Sequence, residues 1–120
     1  MLFRSPQRHA ALRHREGVRD DRAGVGEIGK LTPDTVKGYA TLSGAGAKTG
    51  HLDAKTRELI ALAVAISLRC DGCITVHAAE AKKHGTSEAE LAEALGVAIS
   101  VNAGAALVYS TRAHEAFREA

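Results

Sequence analysis

At 120 residues, with 16 Lys and Arg against 14 Asp and Glu, the chain is long enough for one domain with a real core and needs no metal or disulfide framework to hold it. A net charge of +2 is too balanced for a nucleic-acid surface, and 3% aromatic residues amid abundant alanine favour close-packed helices over a strand-rich sandwich. The class expected is all-α, with five or six helices and no strand.

Residues 1–30 form an N-terminal arm, partly disordered or helical. Four arginines precede its first acid, Glu16, and a helix is expected from Pro6 to Arg22. "AGVGEIGK" then places three glycines in eight residues and reads as a hinge. The helical domain is expected to span 31–120. Thr32-Pro33 starts a helix with proline at its first position, an apolar stripe of Val36, Tyr39, Ala40 and Leu42, and a soft end near Gly44.

Asp53 is a natural N-cap for a helix over Ala54–Arg69. Leu59, Ile60, Leu62, Val64, Ile66 and Leu68 cover nearly every face of it, and a helix apolar all round is buried within the domain or between subunits. Asp71-Gly72 interrupts the run, and a further helix is expected from Cys73 to His84, closed by Gly85. Ser87 and Glu90 have the spacing of a capping box, with Asn102–Gly104 dividing the C-terminal stretch into two helices.

The chemistry sits in "LRCDGCITVHAAE", Leu68–Glu80, which holds both cysteines and His77. Cys70, Cys73 and His77 are respectable zinc ligands, yet a structural site lacks its fourth ligand. Covalent haem attachment needs histidine where Ile74 stands, and a thioredoxin-like motif would follow a strand rather than a long helix. A redox pair fits better. Two intervening residues let the sulfurs approach bonding distance, the first turn of a helix favours a thiolate on Cys73, and His77 at i+4 shares its face and can move a proton. Cys73 is then the nucleophile and Cys70 the resolving thiol.

Glu58, eleven residues, Cys70-Asp71-Gly72-Cys73, three residues and His77, followed by Ala81 and "HGTSEAELAEAL", resembles the AhpD-like branch of the carboxymuconolactone decarboxylase family over roughly Leu52 to Phe117. The resemblance implies an AhpD-like helical bundle, a trimeric or hexameric homo-oligomer, and a thiol-dependent peroxidase or disulfide oxidoreductase. In that reading Glu58 and His77 relay protons for Cys70 and Cys73. Some peroxidase members carry a histidine where this chain has Gly72. Glu58 lies about 18 Å along a straight helix from Cys70, so a simple hairpin would not bring it to His77. Either the helices cross or a second subunit completes the site.

No glycine-rich strand-to-helix turn is present for flavin or nicotinamide, so no cofactor is expected. Electrons would come from a thiol or dithiol protein reductant and pass to a hydroperoxide. The most apolar run, Leu59–Leu68, is too short to span a bilayer and no secretory leader opens the chain, which suggests a cytoplasmic protein with no membrane partner. The other functional class compatible with the cysteines is a non-enzymatic redox sensor or assembly protein switched by a Cys70–Cys73 disulfide.

Overall fold

The computed structural model describes residues 21–120, which contain five helices and no strand. The helix expected from Pro6 lies, but for its last two residues, outside the described residues. The chain divides into two compact units, one ending at Thr49 and the other running Gly50–Ala120.

In the first unit, α1 (Asp21–Leu31) and α2 (Pro33–Thr49) form a helical pair. The glycines expected to make a hinge lie inside α1. Glycine costs a helix about 1 kcal/mol relative to alanine but does not forbid it, and at Gly29 α1 packs beside Val36 of α2, where an added Cβ would make an ordinary contact at 3.5 Å. Pro33 opens α2 at the position where a missing N–H is not missed. The helix passes Gly44 and ends only before Gly50, whose φ of 68° takes the left-handed region that glycine alone enters freely.

The second unit is built from α3 (Ala54–Leu68), α4 (Asp71–Lys83) and α5 (Glu88–Glu119). Asp53 caps α3 by accepting the Thr56 N–H at 2.8 Å. The α3–α4 corner is tighter than the sequence suggests. Arg69 takes φ 56° and ψ 44°, its N–H bonds Ile66 O, and the Cys70 N–H bonds Ala65 O, which closes α3 as a Schellman turn. Asp71 and Gly72 do not interrupt the helices; they form the first turn of α4. That helix ends in a second Schellman turn at Gly85, φ 83°.

Ser87 and Glu90 open α5 with a reciprocal capping box. Asn102–Gly104 does not divide the helix. The Asn102 amide donates both to Ala98 O one turn back and to Ser67 Oγ on α3, at 2.7 and 2.8 Å, so its side chain is tied to the helix and to its neighbour instead of breaking the run.

Among the described residues the buried apolar ones are Leu62 and Ala65 of α3, Ala81 of α4 and Ala98 of α5, three of them alanines that let the helices approach closely. Only one side of α3 is covered among the described residues: Ile60, Val64 and Leu68 are half or more exposed. Of the two placements expected for α3, full burial within one chain is therefore not realised among the described residues. The limit placed on apolar length also fails for α5, which by length and composition alone could cross a membrane. Its alanine, valine and leucine are spread along 32 residues rather than concentrated in one short run.

Candidate functional site

The Cys70–Cys73 pair sits at the α3–α4 corner, joined as a disulfide with the Cα atoms 5.3 Å apart. The Schellman turn of α3 fixes Cys70 through its backbone, and the start of α4 fixes it through its side chain. Cys70 is the N-cap of α4, and its Sγ accepts the Cys73 N–H at 3.3 Å. Sequence reasoning missed this capping role. The signal was present, since Cys70 and Cys73 stand at the same spacing as Ser87 and Glu90, the pair that marks the start of α5.

Four residues of α4 beyond Cys73, His77 turns toward α3, where its Nδ1 lies 2.7 Å from Glu58 Oε2. With a carboxylate as acceptor the ring proton belongs on Nδ1, which leaves Nε2 free to take or give one. Both side chains are partly buried, Glu58 to 21% exposure and His77 to 34%. Of the two routes to this contact, the one within a single chain is realised. Glu58 lies ten residues before the end of α3 and His77 six residues into α4. The axial offset between antiparallel neighbours is thus only about 6 Å, which the two side chains span. The expectation that a simple hairpin would keep them apart measured the distance to the corner and not the return along α4.

The four residues Glu58, Cys70, Cys73 and His77 therefore lie on two adjoining helices of one unit. Among the described residues no three His, Cys, Asp or Glu side chains converge as a metal site requires. At the far end of α3, Lys55 pairs with Glu90 of α5 at 2.6 Å. Hydrogen bonds from Lys55 and then Ser87 pull the Glu90 carboxyl down to about 2, and the same bond to Glu90 raises Lys55. That pair fastens α3 to α5 and takes no part in the corner chemistry.

The family model described as carboxymuconolactone decarboxylase family matches residues 33–116. An uncharacterized protein of Haemophilus influenzae is 58% identical over 92 residues, 77% of this chain and 81% of that protein. A protein of Paracoccus denitrificans, known as uncharacterized protein 4 in the cox locus, is 33% identical over 76% of this chain and 82% of its own length. The crystal structure of an apo carboxymuconolactone decarboxylase family protein from Legionella pneumophila superposes with a TM-score of 0.64 at 38% identity, covering 83% of this chain and 89% of that one.

Proposed function

The chain belongs to the carboxymuconolactone decarboxylase family, and from that premise we propose that it is a thiol-dependent peroxidase and disulfide oxidoreductase of the AhpD-like kind, working in the cytoplasm. The observation that carries the reading is the Glu58–His77 hydrogen bond between α3 and α4, beside the corner that bears the cysteine pair. A partly buried carboxylate–imidazole pair one helical turn from Cys73 suits proton transfer in thiol oxidation, a task that a purely structural disulfide does not set.

In the proposed cycle the Cys73 thiolate attacks one oxygen of a hydroperoxide and breaks the O–O bond. The products are a sulfenic acid on Cys73 and an alkoxide that His77 protonates to the alcohol. Cys70 then attacks the Cys73 sulfur, forms the disulfide and expels hydroxide, which leaves as water. Glu58 acts through His77 by orienting the ring and offsetting its charge when it holds both protons. A thiol or dithiol protein reductant resets the pair.

The working unit in this proposal is a homo-oligomer. Residues 99–120 of α5 are exposed throughout, and a helix of that length has little stability in water without tertiary cover. A second copy would also cover Ile60, Val64 and Leu68 of α3. Sedimentation at micromolar concentration should show an assembly, and a stable monomer would remove that part of the proposal.

Peroxide consumption coupled to dithiol oxidation tests the activity. Repeated turnover per chain supports the enzyme. A single stoichiometric oxidation accompanied by a changed assembly state would instead identify a redox sensor.

A further inference from the structure

We propose that Cys70, the N-cap of α4, is the more acidic thiol of the reduced pair and the leaving group when the disulfide is opened. This assignment deepens the redox reading above and rests on it. Its origin is the unequal distribution of backbone donors between the two sulfurs. The Cys73 N–H is directed at Cys70 Sγ at 3.3 Å, while the next amide, Ile74 N–H, is taken by Cys70 O at 3.0 Å. When the S–S bond breaks, Cys70 Sγ keeps its amide donor and gains a negative charge at the positive end of a 13-residue helix, and a hydrogen bond to a charged acceptor is stronger than one to a neutral sulfur.

Cys73 has no matching donor. A side chain three residues past an N-cap can reach back to the cap's own N–H, as Glu90 does to Ser87. Here that N–H belongs to Cys70 and is already committed to Ala65 O at 3.0 Å, where it closes α3. The flanking charges of Arg69 and Asp71 are exposed and opposite in sign, so they largely offset, and the free Nε2 of His77 serves Cys73 by taking its proton rather than by holding a thiolate at rest. The corner therefore gives Cys70 Sγ a backbone anion site, whereas Cys73 ionises by passing its proton to His77 Nε2 when it attacks.

The consequence is a fixed direction for the reductive half of the cycle. A reductant thiolate attacks Cys73 Sγ, a new S–S bond forms between reductant and Cys73, the Cys70–Cys73 bond breaks, and its electron pair leaves on Cys70 as the capped thiolate. A second thiol equivalent then attacks the reductant's sulfur and frees Cys73. The two cysteines thus divide the work: Cys73 is the sulfur attacked in reduction, and Cys70 is the anion held ready to attack the Cys73 sulfenic acid after oxidation.

Two measurements on the full chain decide it. The oxidised protein is mixed with glutathione, quenched in acid, blocked with N-ethylmaleimide and cut after Arg69 and Lys82, and the peptide carrying both cysteines is read by fragmentation. Glutathione on Cys73 with maleimide on Cys70 is expected in at least about threefold excess, because the more acidic thiol leaves faster. Equal labelling or the reverse pattern overturns the proposal. Separately, Cys73→Ser keeps the amide at residue 73 and Cys70→Ser keeps an oxygen cap, so both are expected to fold. Iodoacetamide should alkylate Cys70 in the first about threefold faster near pH 7 than Cys73 in the second, the gain in thiolate outweighing the lower intrinsic nucleophilicity. A faster Cys73 would overturn it. Peroxide turnover is scored apart from both, so the expected labelling without turnover sinks the peroxidase reading alone, and turnover with reversed labelling sinks this assignment alone.

Discussion

Glu58 of α3 and His77 of α4, nineteen residues apart in sequence, share a 2.7 Å hydrogen bond one helical turn from Cys73. Its consequence is tested by Glu58→Gln, which preserves size and removes the charge, and by His77→Ala. If the pair relays protons, each should lower peroxide turnover by about 10²-fold or more near neutral pH. In His77→Ala the first oxidation should recover as pH rises toward the ordinary thiol range, about 8.5, where Cys73 ionises unaided. A purely structural role predicts a loss that tracks stability and leaves the shape of the pH profile unchanged.

Arg69 occupies the left-handed region, φ 56°, at the end of α3. An L-residue pays about 1–2 kcal/mol for that conformation and glycine almost nothing. Arg69→Gly should therefore raise stability, by about 1 kcal/mol once the greater freedom of glycine in the unfolded chain is allowed for. A urea melt with a higher midpoint and unchanged slope is the expected result. Arg69→Val, β-branched at a positive φ, should move the midpoint the other way.

Glu90 titrates at about 2 in the folded protein against 4.5 for an ordinary glutamate, chiefly through its hydrogen bond from Lys55. A folded value below the unfolded one means that its contribution is complete above about pH 4.5 and disappears as pH falls from there through 2. Lys55 is raised above 10.5, so its share is complete below that value and disappears as pH rises past the folded one. Glu90 also accepts the Ser87 N–H, which lowers its carboxyl further. Stability of Glu90→Gln should be less steep in acid than that of the parent. The difference should shrink in high salt, because the pair is partly exposed, 34% and 41%.

Leu62 is 3% exposed and Ile60 is 50% exposed, both on α3. Leu62→Ala removes the largest side chain of the three-helix core and should cost about 2–5 kcal/mol. Ile60→Ala should cost much less in an isolated chain. If α3 is covered by a second copy, the Ile60→Ala midpoint should depend on protein concentration. Independence from concentration would argue against that cover.

The all-α class, the caps at Asp53 and Ser87 and the Gly85 terminator were legible because each depends on residues within a few positions of one another. The four candidate residues were legible too, as a resemblance in spacing. The continuity of α5 was not: Asn102, expected to divide it, instead bonds Ala98 one turn back and Ser67 thirty-five residues away. The meeting of Glu58 with His77 likewise depends on how two helices return along each other, a through-space distance that spacing along the chain does not contain. The capping of α4 by Cys70 falls between these cases. Its spacing was local, but its chemical meaning comes from the Schellman turn of the preceding helix, which commits the Cys70 N–H to Ala65 and leaves Cys70 Sγ as the sulfur that keeps a donor. Local backbone hydrogen bonding fixes helices and their ends from the sequence alone, whereas pairing between helices is decided only when the folded chain brings distant side chains within bonding distance.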